Sequence, residues 1–240
     1  MEVKGKVVLL TGGSAGIGRE IARQLKAKGA QVILTGRDPA RLAAMEAEGF
    51  EALAADLSHA AGVDGLVSAL GERPIDILIN NAGQGVDHDF RQGAPDADAA
   101  DACLYANLSA PIRLIAALLP RLRDRPQAAI VNVTSGLAIA PRAGSPVYCA
   151  TKAGLRSYTM ALRAQLAGEP IRVIEALPPV VDTQMTADRP KGKMPPQECA
   201  RQIIAALEAG RDEANVGLTK VLRAVYSLSP ALARAVMIRY

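Results

Sequence analysis

Short apolar runs rich in β-branched residues alternate along the chain with longer stretches in which apolar residues recur every three or four positions. The runs Val7–Leu10, Val32–Leu34, Ile75–Ile79, Ile130–Val133 and Ile171–Ile174 are largely apolar at consecutive positions, and Phe50–Ala54 is a weaker example. A strand that is apolar on both sides belongs inside a sheet covered on both faces. Between the runs, Ile17, Ile21 and Leu25 fall on one helix face, as do Leu155, Met160, Leu162 and Leu166. Strand, helix, strand at this spacing requires right-handed crossovers. The pattern therefore predicts an α/β fold, a doubly wound parallel sheet of about seven strands in three α/β/α layers.

Neither a repeat nor a linker divides the chain, so residues 1–240 are expected to form one domain. The one irregular stretch is Asp182–Pro196, DTQMTADRPKGKMPP, polar and with three prolines; it is expected to act as a lid over a substrate. Beyond Gly217 the pattern is helical and amphipathic, with a break at Pro230.

Composition narrows the partners. Only 3% of the 240 residues are aromatic and none is Trp, which excludes a stacking platform for single-stranded nucleic acid. The net charge is +4, but Lys and Arg are dispersed apart from RLRDR at 121–125, so an anionic small ligand is expected and nucleic acid is not. Cys103, Cys149 and Cys199 are odd in number and lack CxxC spacing, which argues against a disulfide framework or a metal and for a cytoplasmic setting. No uninterrupted apolar run reaches the length of a membrane span.

The chemistry begins at VVLLTGGSAGIGREIARQL, which runs from the first strand through a glycine loop into a helix. Gly12 permits the tight turn, Gly16 lets the backbone approach a pyrophosphate, and Gly18 allows close helix packing. The helix N-terminus then faces the phosphates, with Ser14 and Ile17 beside them. The next strand should end on the residue that reads the adenosine ribose. Thr35 stands there and Arg37 follows, in VILTGRDPARL; Asp38 precedes Pro39 as a helix cap would. An arginine suits a 2′-phosphate, so NADP(H) is expected over NAD(H). LAADLS puts Asp56 and Leu57 after the third strand, near the adenine. LINNAGQG ends the fourth with Asn80, Asn81, Ala82 and Gly83 beside the nicotinamide half.

Tyr148 and Lys152 are four residues apart, one helical turn on one face. A phenol with an unperturbed pKa near 10 exchanges protons poorly at neutral pH, and an adjacent ammonium is expected to lower that value. Such a pair suits the oxygen of a carbonyl or an alcohol. Ser135, in VNVTSG at a strand end, could hydrogen-bond the same oxygen, while Thr134 should face the other way. Asn107, in YANLSAP, could organise a water relay to Lys152.

TGGSAGIG, NNAG, Asn107, Ser135 and the YxxxK of Tyr148 and Lys152 together resemble the short-chain dehydrogenase/reductase family over essentially the whole chain. The resemblance implies a Rossmann-type domain and an Asn–Ser–Tyr–Lys tetrad made of those four residues. It implies Tyr148 and Lys152 in the cofactor site too, joined by Pro178, Val181 and Thr183, and a homodimer or homotetramer. The family's Pro-Gly after the sixth strand is here Pro178-Pro179, which stiffens that loop. The stretch from Ser135 to Leu166 is similar to a subgroup named after D-alanine-transfer operons. The expected activity is NADP(H)-dependent interconversion of a small carbonyl and its alcohol; the alternative is a non-catalytic NADP(H)-binding sensor.

Overall fold

A computed structural model of the chain describes residues 1–94, 96–188 and 192–239. In it, β1 (Val7–Leu10), β2 (Gln31–Gly36), β3 (Glu51–Ala54), β4 (Ile77–Asn80), β5 (Ala128–Val133), β6 (Ile171–Leu177) and β7 (Glu213–Asn215) form one sheet. The order is β3-β2-β1-β4-β5-β6-β7 and every pairing is parallel. The chain winds outward in one direction from β1 and in the other from β4, so the carboxyl ends of these two neighbours open a crevice.

Side-chain alternation divides the core in two. Val8 and Leu10 of β1, with Ala129 and Val131 of β5, meet α1 (Gly16–Ala27), α2 (Pro39–Ala47) and α7 (Pro196–Glu208) through Ile21, Leu25, Met45, Ile203 and Leu207. Leu9 and Ile130 face the opposite layer, made of α3 (Ala60–Leu70), α5 (Ala110–Arg123) and α6 (Pro146–Gln165), through Leu66, Leu114, Leu118 and Leu162. Each such leucine contributes about 2 kcal/mol by leaving water.

The weak apolar run is the edge strand β3, whose residues are only half covered. Ile75 and Asp76 precede β4; Asp76, nearly fully buried, accepts from the Val7 N–H at 2.8 Å and from Arg125 Nε at 2.8 Å, so the charge within the run is paired. The expected face of α6 is corrected at one position. Met160 is 51% exposed and Thr159 occupies the buried face instead, its hydroxyl donating to the Leu155 carbonyl at 2.6 Å. Asp38 does cap α2, accepting from the Arg41 N–H at 3.1 Å.

α4 (Ala97–Leu104) continues through a π-helical turn, Tyr105–Ser109, into α5. These 27 residues are the one helix among the described residues long and apolar enough to cross a bilayer. Leu114, Leu118 and Leu122 are buried against the sheet. The wide turn redirects Asn107 into the protein, the use to which such turns are often put. After Gly217 come α8 (Thr219–Leu228) and α9 (Pro230–Met237), separated near Pro230.

Candidate active site

One crevice of about 1060 Å³ runs across the carboxyl ends of the central strands. It is lined by Gly12, Ser14, Gly16, Ile17, Gly18, Arg37, Asp56, Leu57, Asn81, Ala82, Gly83, Tyr148, Lys152, Pro178 and Thr183. Of the residues expected to hold a cofactor, Val181 and Asn80 do not line it. Val181 lies in the core, 3% exposed, bridged to Met194. Its orientation follows from that bridge, which no spacing rule anticipates.

At one end the glycine loop leaves no room for side chains. Gly16 has φ +52°, in the left-handed region, and a Cβ there would stand 3.0 Å from the Thr183 methyl. At Gly18 a Cβ would come within 2.1 Å of the Gly12 carbonyl oxygen and 2.5 Å of Asn81 Nδ2. Ala15, the cap of α1, has no side-chain acceptor, so no cap occupies the first N–H groups, and the first turn carries no acid. This donor set fits a dinucleotide pyrophosphate.

Beyond the loop stand three arginines. Arg37 donates to Gln84 Oε1 at 3.2 Å, Arg41 to Gln184, and Arg19 Nε lies 3.6 Å from Glu20. Burial opposes ionisation of Asp56, but the Ser58 hydrogen bonds and the Arg37 charge hold its carboxyl below the usual range. Thr35 at the end of β2 accepts from the Gly12 N–H at 3.4 Å and so braces the loop instead of reading a ribose. Arg19 and Arg41 escape sequence reasoning. Arg41 lies one helical turn beyond the Asp38 cap, and that spacing was the available signal.

Two amides expected beside the nicotinamide are committed elsewhere. Asn80 points away from the crevice, its Nδ2 donating to Asn132 Oδ1 at 2.8 Å, because alternation along β4 turns it into the sheet interior. Asn81 lines the crevice, but its Nδ2 donates to the Thr11 and Gly12 carbonyls at 3.0 and 3.1 Å and ties the loop to β4.

At the other end, Tyr148 and Lys152 sit on the first turns of α6 with the Lys152 Nζ 5.7 Å from the phenol ring centroid. Lys152 is buried and donates to the Val133 carbonyl at 2.9 Å. Burial pushes the ammonium down to about 8. Burial also dominates at Tyr148 and pushes the phenol up to about 12, although the hydrogen bond with Ser135 works the other way. The side chain keeps part of its surface open to the crevice. The expected acidification of Tyr148 is opposed in this structure: desolvation raises the phenol, and the Lys152 ammonium is directed at a backbone carbonyl.

Ser135 Oγ accepts from the Leu137 N–H at 3.1 Å, which leaves its own proton to donate. Thr134 lines the crevice, as Ser135 does not, but its hydroxyl is committed to Glu175, to which it donates at 2.7 Å. Asn107 is fully buried behind the crevice wall. Its Oδ1 accepts from the Gln84 N–H at 2.9 Å and its Nδ2 donates to the Gln84 carbonyl at 2.9 Å and to Thr151 Oγ1 at 3.1 Å. A Cβ on Gly83 would lie 2.9 Å from Asn107 Oδ1 and 3.5 Å from Lys152 Nζ, so the three meet at one point. Thr151 and Cys103 are supports that sequence reasoning missed. They stand three residues after Tyr148 and four before Asn107, spacings that put each on a shared helix face.

Comparison with known proteins agrees with this fold. The sequence profile of the short chain dehydrogenase family matches residues 6–193. The chain is 42% identical over 187 residues to an uncharacterized oxidoreductase, DltE, of Bacillus subtilis, covering 76% of this chain and 74% of that protein. A short chain dehydrogenase from Burkholderia cenocepacia in complex with NADP superposes with TM-score 0.88 at 27% identity, covering all of both chains. The 3-ketoacyl-(acyl-carrier-protein) reductase of Brucella melitensis, complexed with NADH, superposes with TM-score 0.79 at 29% identity over 88% of this chain and 96% of that one.

Proposed function

The chain belongs to the short-chain dehydrogenase family of oxidoreductases, and from that premise we propose that it reduces a small carbonyl compound to its alcohol with NADPH. The observation that carries this reading is a single crevice with an uncapped helix N-terminus and arginines at one end and a neutral phenol beside a buried lysine at the other.

The nicotinamide cofactor, when bound, supplies or accepts a hydride at the carbon of the substrate. The pyrophosphate would lie on the N–H groups of the loop between Gly12 and Gly18, and a 2′-phosphate would meet Arg37, with Arg41 and Arg19 adding to the local positive field. Tyr148 holds the proton that the substrate oxygen needs. A phenol pushed up to about 12 is almost wholly protonated at pH 7, the form required for reduction. Ser135, its acceptor side taken by Leu137, donates its remaining hydrogen to the same oxygen. Lys152, still protonated at pH 7, stabilises negative charge on Tyr148 after the proton has left. Asn107 holds the Gln84 backbone from both sides and keeps Gly83 against Lys152. The segment Asp182–Pro196, of which 189–191 lie outside the described residues, would cover the substrate.

A panel of ketones and aldehydes followed by NADPH absorbance tests the proposal. Turnover of at least one carbonyl is expected, and Tyr148→Phe is expected to lower it by about 10³-fold with NADPH affinity retained. A Tyr148→Phe enzyme as active as the parent would remove the proton donor from the scheme.

A further inference from the structure

Away from the crevice, the helical hairpin of α8 and α9 carries six of the ten large apolar side chains left exposed among the described residues. Leu218, the residue before α8, and Val221 and Leu228 within it are 72%, 59% and 88% exposed and fall on one stripe, at relative positions 0, 3 and 10. Leu232 and Val236, four residues apart, continue an open apolar surface on α9, and the two helices pack on each other. Folding normally hides such a surface, so one this concentrated marks a place of contact.

The charge on the hairpin selects the partner. From Gly217 to Arg239 the sequence holds Lys220, Arg223, Arg234 and Arg239 and no acid. Two carboxylates reach α8 from other elements, and both have arginines of their own. Glu213, 3.6 Å from Arg223, is 3.1 Å from Arg156, and Glu198, which senses Lys220, is 2.6 Å from Arg201. Arg234 lies against Tyr226, donating to its hydroxyl at 3.1 Å. A two-fold contact with a second copy would set these cations against their own equivalents, since such an interface pairs one patch with itself. The exposed apolar groups are aliphatic, and the hairpin's one described Tyr, Tyr226, is partly buried and lies against Arg234 instead of standing among them as a protein hot-spot anchor would. Exposed aliphatic side chains on a segment whose only charged residues are Lys and Arg match a bilayer surface with anionic headgroups.

We propose that the α8–α9 hairpin docks the protein on anionic phospholipid surfaces. The hairpin is also joined to the catalytic end of the crevice. Thr219 and Leu222 close over Gly136, the neighbour of Ser135, where an added Cβ would meet them at 3.3 and 3.4 Å. The Ile238 carbonyl accepts from the Ala143 N–H at 3.1 Å, in the turn that leads into α6 and Tyr148. Docking would therefore hold the tyrosine end of the crevice beside the lipid.

Co-sedimentation of the full chain with vesicles tests the proposal without an identified substrate. Binding is expected to vesicles containing about 30% phosphatidylglycerol and not to pure phosphatidylcholine, and it should fall steeply as salt rises toward about 0.5 M. Lys220→Glu and Arg239→Glu should each weaken the partition about fivefold, and Leu228→Ser with Val236→Ser should abolish it. All four side chains are exposed, so circular dichroism and melting temperature should match the parent. Absence of binding to anionic vesicles at low salt would overturn the proposal. So would equal binding to neutral vesicles, or a dimer in sedimentation velocity that Leu228→Ser dissociates while vesicles bind neither form.

Discussion

At one end of the crevice Arg37 is exposed, Arg41 is half-buried, and each reaches across to a glutamine. At the other, Lys152 and Asn107 are buried, and burial moves Tyr148 and Lys152 toward their neutral forms. The first end would recognise charge in a wet, high-dielectric setting, where a single contact is worth little and several add. The second is costly to form and works because it is dry. The same fold thus carries a site that contributes little to stability and a site that opposes it.

Lys152→Met gives the widest separation. Turnover should fall at least about 100-fold, since the cation that stabilises charge on Tyr148 is gone. Stability should move the other way. The folded-state ammonium titrates at about 8 against 10.5 for the free group, so below pH 8 both states hold the proton and the native state carries the desolvation penalty. Between pH 8 and 10.5 the unfolded state binds more protons, and the parent becomes more stable as pH rises. The 2.5-unit interval corresponds to about 3 kcal/mol, offset by about 1 kcal/mol for the lost bond to the Val133 carbonyl. Urea unfolding without cofactor at pH 7 should show the Met variant about 2 kcal/mol more stable than the parent, with the parent's rise above pH 8 absent. A destabilised variant would mean that the buried ammonium is not the strained element of this end.

Gly18→Ala perturbs the other end through shape alone. Its Cβ would overlap the Gly12 carbonyl, so α1 or the loop must move, at about 1–3 kcal/mol. The melting temperature and NADPH affinity should fall together, affinity by about 10–100-fold in calorimetric titration, whereas kcat at saturating cofactor should change less than twofold. A collapse of kcat instead would show that the two ends are mechanically coupled.

How far each end was legible in the sequence follows the same division. The glycine loop, the Asp38 cap and the alternation of strands with helices rest on local backbone rules, and residues near in sequence carry them. The YxxxK pair was legible because helical spacing is local too. Asn80 and Met160 were misread, and the burial of Val181 went unseen, because the direction of a side chain depends on which neighbour it meets across the sheet or helix layer. The sense of the Tyr148 shift was misread for a related reason. A spacing of four shows that a cation is near, but whether burial outweighs it depends on atoms contributed by β5, the Ser135 turn and the surrounding helices.

The smallest effect belongs to Arg37→Ala. The guanidinium is exposed and its present partner is the Gln84 amide, so its removal should leave the unfolding free energy within about 0.5 kcal/mol of the parent. The Asp56 carboxyl loses a cation that helps hold it low, so its titration should move up. NADPH affinity should fall about tenfold, near the lower limit for a charge-assisted contact because solvent screens it, while NADH affinity stays the same. Raising the salt should shrink the parent's preference for NADPH and leave the variant's unchanged. Equal loss for both cofactors would mean that Arg37 acts through Gln84 on the shape of the crevice and reads no phosphate. A preference that survives in full would pass the role to Arg41, which faces the same space from one helical turn further on.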